Sequence, residues 1–144
     1  MRPRDCRIRN RLNPWPNGPQ YAEASLRAGQ LERAVEVAER TLTLAREAPS
    51  PHIEAATRRV QAQILVAQGA WDEAARCFDD AIAGLEQLGS RLELGRALYR
   101  RGQTQAKRGQ VDNARASLTR SLSIFQDCSA KIDAERAYNA LDGL

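Results

Sequence analysis

The stretch from Ala67 to Leu85 decides the fold, and it reads Ala-Gln-Gly-Ala-Trp-Asp-Glu-Ala-Ala-Arg-Cys-Phe-Asp-Asp-Ala-Ile-Ala-Gly-Leu. Glycine commonly ends a helix, as Gly69 would here, and Trp71 begins a new amphipathic segment. Apolar or small residues then recur at steps of three and four, which places them on one helical face. They are Ala74, Ala75, Phe78, Ala81, Ile82 and Leu85. The stretch therefore predicts a helix end, a short turn and a helix with one buried face.

The same pattern occurs three times with a constant spacing. The helix-ending glycines are Gly29, Gly69 and Gly109, and the differences 69−29 and 109−69 both equal 40. Each glycine is followed by an apolar residue, an acid and an alanine in the same register. Small residues recur at Ala22, Ala62 and Gly102 and at Ala34, Ala74 and Ala114. They would let the two helices of a pair approach closely. Each pair keeps apolar surface that it cannot bury alone, so we expect the pairs to stack.

Local signals divide the chain into seven helices behind a basic, proline-rich start. Ser50 is expected to cap the third helix, with Pro51 at its first position. Ser90 and Glu93 have the spacing of a capping box at the start of the fifth helix. We predict helices over about 19–28, 31–46, 51–68, 71–88, 91–108, 111–127 and 131–141.

The repeat resembles the tetratricopeptide repeat (TPR), a helix-turn-helix unit. The resemblance is clearest at Ala62, Gly69, Trp71, Ala74, Phe78 and Ala81, and it covers about residues 20–141. The spacing of 40 residues departs from the family's usual 34. It is similar to the repeats that accompany bacterial transcription regulators, signalling ATPases and nucleotidyl cyclases. The proline that usually closes a unit is also absent, except at Pro49 or Pro51.

The resemblance implies an all-α fold, an α-solenoid of three antiparallel helix pairs with a C-terminal capping helix. We expect a flexible arm and a repeat domain with boundaries at 1–19 (arm), 20–144 (domain), 20–48, 51–88 and 91–128 (repeats) and 131–141 (capping helix). By the period, the first helix should begin near Arg11, but Pro14, Pro16 and Pro19 forbid it. Either the N-terminal end closes irregularly, or the chain is part of something longer.

The net charge of +4 belongs to the arm. Residues 1–20 contain five arginines and one aspartate, so the remaining residues balance at 17 basic and 17 acidic. We favour a disordered terminus over a nucleic-acid contact, because the arginines lack interleaved aromatics. Cys6, Cys77 and Cys128 have no paired spacing, which favours free thiols in a reducing cytoplasm. No apolar run reaches the roughly 20 residues of a membrane span.

The sequence favours no catalytic, cofactor or metal site. His52 is the single histidine, and no ligand cluster accompanies it at metal spacing. Asp79 and Asp80 are adjacent, so they point in different directions on a helix. Phosphate-binding, dinucleotide and nucleophile-elbow motifs are absent from the sequence. We therefore expect a protein that is not an enzyme.

In the family, the first helices of the repeats line a concave groove. The resemblance places a partner-binding groove at Arg59, Gln63, Arg96, Tyr99, Gln103, Lys107 and Arg136, with Arg100 at its rim. Long cationic and amide side chains suit an acidic peptide or a C-terminal carboxylate. The alternative is that these residues form a solvated face. The expected function is a protein-interaction module, and the alternative is a sensor region of a larger bacterial transcription regulator or signalling ATPase.

Overall fold

The computed structural model describes residues 18–144, which form seven helices. In chain order they are α1 Gly18–Arg27, α2 Leu31–Glu47, α3 Pro51–Ala67, α4 Trp71–Leu88, α5 Arg91–Lys107, α6 Val111–Asp127 and α7 Lys131–Asp142. Each boundary lies within one residue of its prediction, and the all-α solenoid is confirmed. Gly18 and Pro19, which the sequence assigned to the arm, form the buried first turn of α1. The rest of the predicted arm, residues 1–17, lies outside the described residues.

The repeat is also visible in the backbone. Helices α2, α4 and α6 begin at Leu31, Trp71 and Val111, at intervals of 40 residues. The glycines two positions earlier have φ values of 78°, 79° and 76°. This left-handed conformation is open to glycine at little cost, and it explains why glycine recurs at each of these turns.

Ser129 holds the same kind of position without being a glycine. Its φ is 57°, and it stands 40 residues after Gly89, whose φ is 68°. Both residues follow the second helix of a pair, α4 and α6. A left-handed conformation costs a residue with a Cβ atom about 1–2 kcal/mol. Ser129 is therefore a point of local strain between α6 and α7.

The helices stack so that the first helices of the pairs contact one another on one face of the solenoid, and the second helices lie apart on the other face. Turns of two or three residues join consecutive helices, which makes neighbours antiparallel. The first helices contact each other in the order α1, α3, α5 and α7. Within residues 18–144, the second helices α2, α4 and α6 have no Cα atoms within 8 Å of one another. The first helices therefore form the inner face of a curved stack.

The small residues allow the close approach of paired helices that the sequence predicts. Ala62 and Ala74 are fully buried between their helices. A Cβ atom on Gly102 would lie 2.6 Å from Leu118 Cγ, so α5 and α6 approach too closely there for a larger residue. Phe78 is buried as predicted.

Both side-chain caps predicted from the sequence are wrong. Neither Ser50 nor Ser90 forms a side-chain cap hydrogen bond. The Ser90 hydroxyl lies 2.7 Å from His52 Nδ1 instead. Glu93 turns to Arg59 and Arg96, because a hydrogen bond between two charged groups is stronger than one to a backbone amide.

Candidate functional site

Two adjoining clefts run along the inner face formed by the first helices. One, about 250 Å³, is called here the aliphatic cleft, and its lining is Leu26, Arg27, Gln63, Val66, Ala67, Arg100, Gln103, Thr104 and Lys107. The other, about 210 Å³, is called the ionic cleft, and its lining is Gln20, Glu23, Arg27, Arg59, Arg96, Tyr99, Arg100, Phe125, Asp133 and Arg136. Because Arg27 and Arg100 belong to both, the two clefts form one continuous groove.

The groove contains all seven residues proposed from the sequence. The ionic cleft holds Arg59, Arg96, Tyr99 and Arg136. The aliphatic cleft holds Gln63, Gln103 and Lys107. The family's repeat register therefore locates a shared surface. That these residues bind a partner stays a prediction.

Arg59 forms the floor of the groove. It is only 1% exposed. Its Nη1 donates to Glu23 on α1 and to Gln63, both at 2.8 Å, and its Nε donates to Glu93 on α5 at 3.2 Å. One guanidinium thus joins the first helices of all three repeats. Since its Nε and Nη1 donors are engaged and the side chain is shielded from solvent, its role is to hold the groove together.

Glu23 is the carboxylate on which the arginines of the groove converge. Besides Arg59, its Oε2 lies 3.6 Å from Arg100 Nη2, and its Oε1 lies 3.5 Å from Arg27 Nη2. Burial raises the pKa of Glu23, but the charges and hydrogen bond of Arg59, helped by Arg100, outweigh burial. The net pKa is lowered from its ordinary value, so the carboxylate stays ionised at neutral pH.

The walls of the groove carry further paired side chains. Arg96 Nη1 donates to Glu93 at 2.7 Å. Gln103 donates from its amide to the Tyr99 hydroxyl at 3.0 Å. Arg100 donates to Gln103 at 3.1 Å and lies 5.4 Å from the centroid of the Tyr99 ring. The pKa of Arg100 is lowered from its ordinary value, because the effect of burial outweighs that of the nearby Glu23 carboxylate, which raises it. These contacts give Tyr99 and Gln103 fixed positions beside a cation.

The groove has an excess of positive charge. Its cations are Arg27, Arg59, Arg96, Arg100, Lys107 and Arg136, and the carboxylates among or against them are Glu23, Glu93 and Asp133. Six minus three leaves a formal charge of +3. Lys107 is exposed and forms no ion pair within residues 18–144. An excess of cations in a concave surface attracts anionic groups.

Sequence reasoning missed the part played by the acids. The capping-box spacing assigns Glu93 to a helix start, and no ion pair is predicted for Glu23. One feature of the sequence could have predicted the network. Glu23 on α1 and Glu93 on α5 lie on the two first helices that flank α3, and both meet Arg59 on α3. Arg100, predicted at the rim, lines both clefts.

Residues 18–144 show no sign of a metal site, a membrane span or an activated thiol at Cys77. No group of three His, Cys, Asp or Glu side chains in residues 18–144 is arranged to hold a metal ion. None of the seven helices is both long and apolar enough to cross a bilayer. Cys77 donates its thiol to the Arg58 carbonyl at 3.2 Å, and burial raises the pKa of this thiol. A protonated thiol is a weak nucleophile, so Cys77 is suited to packing.

Comparison with known families agrees with this architecture. The sequence profile described as the tetratricopeptide repeat matches residues 17–87 and, in a second overlapping match, residues 54–127. The first match covers α1 to α4 and the second covers α3 to α6. The chain belongs to the tetratricopeptide repeat family. Members of this family generally act as protein-interaction modules. No curated protein matches the sequence.

Proposed function

We propose that this chain is a non-catalytic interaction module that binds an acidic segment of a partner protein in the groove of α1, α3, α5 and α7. The observation that carries the proposal is the excess of cations over carboxylates in a continuous concave surface. An acidic segment would complement that charge and gain steering from it. Protein binding is also the general role of the family.

The groove residues divide into two roles under this proposal. Arg96, Tyr99, Gln103, Lys107 and Arg136 would contact the partner, together with Gln63. Arg59 would act indirectly, because its guanidinium is buried and already bonded to Glu23 and Glu93. A partner would meet the surface that Arg59 organises, and it would not meet the guanidinium itself.

A selected peptide and two charge-reversed variants test the proposal. Random nonapeptides displayed on phage are selected against the full chain, and the enriched peptides are measured by fluorescence anisotropy. Lys107→Glu should weaken binding about tenfold, since a lost attraction and a new repulsion of roughly 0.5–1 kcal/mol each sum to about 1.4 kcal/mol. Raising the salt concentration should also weaken binding to the wild type.

The matched control is Arg115→Glu, which makes the same charge change on α6. Arg115 is exposed, lies outside both clefts and forms no ion pair in the described part of the chain. Its variant should bind the peptides within about twofold of the wild type. An equal loss of peptide affinity in Lys107→Glu and Arg115→Glu, or no loss of affinity in either variant, would contradict binding in the groove.

The alternative, that the chain is a sensor region of a larger bacterial transcription regulator or signalling ATPase, stays a prediction. It is compatible with peptide binding, because such a region would also need a partner surface. An adjacent reading frame that encodes a nucleotide-binding or DNA-binding domain would favour it, and the lack of one would count against it.

A further inference from the structure

We infer that the partner's main anchor is an aliphatic side chain with two acidic side chains near it, and that this anchor binds in the aliphatic cleft. The inference rests on the proposed function and names the partner's chemistry at the same groove. Three features of the aliphatic cleft carry it: the partly exposed apolar patch in its lining, the absence of a lining carboxylate and the spacing of its cations.

The first feature is an apolar surface that the protein leaves partly open. Leu26 on α1 and Val66 on α3 line the cleft and are only half-buried, and Ala67 beside them is exposed. Covering this surface with an aliphatic side chain removes apolar area from water, at roughly 25 cal/mol per Å². The ionic cleft, by contrast, is lined mainly by charged side chains.

The second feature is that no carboxylate lines the aliphatic cleft. In the ionic cleft, the lining residues Glu23 and Asp133 already pair with arginines, and Glu93, which lies outside the lining, pairs with Arg59 and Arg96. A partner's carboxylate would have to compete with them. At the aliphatic cleft, Lys107 has no ion pair with any residue in 18–144, and the ion pairs of Arg27 and Arg100 are the longer contacts of 3.5 and 3.6 Å with Glu23. An incoming carboxylate therefore gains most at this end of the groove.

The third feature is the distance between the cations. Arg100 and Lys107 are seven residues apart on α5, which corresponds to about 10 Å along the helix axis. One carboxylate placed against Arg100 leaves Lys107 unpaired, and one placed against Lys107 leaves Arg100 with only its 3.6 Å contact to Glu23. Two carboxylates spaced by about 10 Å would meet both, and in a polyproline II segment residues three apart lie on the same face at roughly this spacing. This favours side-chain carboxylates within a segment over a single C-terminal carboxylate.

Defined peptides test the inference by NMR titration of the full-length ¹⁵N-labelled protein. The probe is the acetylated and amidated hexapeptide Gly-Glu-Gly-Leu-Glu-Gly, which places its acids three residues apart. The matched peptides replace leucine with serine, or both glutamates with glutamine. A fourth peptide, Gly-Gly-Leu with a free carboxylate, represents a chain terminus.

The leucine probe should shift the amide signals of Leu26, Val66 and Ala67 most strongly. The serine peptide should bind about fivefold more weakly, which corresponds to about 1 kcal/mol of partial leucine burial. The glutamine peptide should lose the salt dependence of binding. Lys107→Gln should weaken the leucine probe, while Arg115→Gln, outside the groove, should not.

Each of the remaining outcomes overturns the inference. Equal affinity of the serine peptide, tighter binding of Gly-Gly-Leu than of the probe, or no titration up to millimolar concentration would each do so. Acid-dependent shifts confined to Arg96 and Arg136 would overturn the anchor site and leave the proposed function standing. Selected nonapeptides that shift only residues outside both clefts would overturn the proposed function as well.

Discussion

Replacing Arg59 with methionine removes a cation that joins all three repeats. Methionine has a similar length and no charge, so it fills much of the space of the arginine stem. The change leaves Glu23, whose side chain is 12% exposed, and Glu93, at 19%, without their shared partner. Each carboxylate then remains charged in a poorly solvated place.

The expected loss of stability is about 2–3 kcal/mol. Breaking a buried ion pair by removing one partner costs about 3–5 kcal/mol. The loss is smaller here because Glu93 keeps Arg96 at 2.7 Å and Glu23 keeps Arg100 at 3.6 Å. For a domain of this size, the loss corresponds to a decrease in Tm of about 5–10 °C.

The pH dependence of the loss identifies its cause. The pKa of Glu23 is lowered from 4.5 in the folded protein. Its ionised form therefore stabilises the fold above pH 4.5, and this contribution is lost as the pH falls through the folded value. Without Arg59, the main cation that lowers the Glu23 pKa is gone. The gap in stability between wild type and variant should therefore narrow below about pH 4.5.

Urea and thermal unfolding, followed by circular dichroism at pH 7 and pH 4, measure the effect. The matched control is Arg58→Met, because Arg58 is adjacent but pairs with Glu54 at 3.3 Å on the surface of α3. It should cost under about 0.5 kcal/mol. An Arg59→Met variant that melts within about 1 °C of the wild type, or a gap of equal size at both pH values, would refute the ion-pair account.

Three further predictions test the packing and the backbone. Gly102→Ala should destabilise the protein by about 1–3 kcal/mol, because the added Cβ would meet Leu118. Gly84→Ala has room for the Cβ and should stabilise the protein by about 0.5–1 kcal/mol. Urea unfolding in which both variants change the stability in the same direction would contradict this prediction. Ser129→Gly should stabilise by about 1 kcal/mol by relieving the left-handed strain, and an unchanged Tm would count against that strain. Ala74→Leu should cost about 1–3 kcal/mol through overpacking at a fully buried position, and a neutral thermal melt would speak against a tight helix pair there.

The fold could be predicted from the sequence because its determinants are local and steric. A glycine is needed at Gly69 by a φ of 79°, and a small residue at Gly102 is needed by the close approach of Leu118. Such requirements can be recognised in the sequence from residue type and spacing. The period of 40 then follows from three copies of the same requirement, and the seven groove residues that the family resemblance proposed line the two adjoining clefts.

The ion network could not be predicted in the same way. Arg59 is separated from Glu23 by 36 residues and from Glu93 by 34, so its contacts depend on how closely three helices approach. The equivalent residue one repeat later is Tyr99, so the repeat gives no rule for this position. A cation on a helix face is usually solvated, and residue type alone does not show that this one is 1% exposed.

The curvature of the stack explains why Arg59 is buried and Lys107 is exposed. Because the first helices converge while the second helices stay apart, side chains at the middle of α3 are enclosed by α1 and α5. A cation placed there must find carboxylates within the fold, as Arg59 does with Glu23 and Glu93. A cation at the end of α5, such as Lys107, lies outside this enclosure and is exposed. The same convergence therefore encloses the floor of the groove and leaves its ends exposed to solvent.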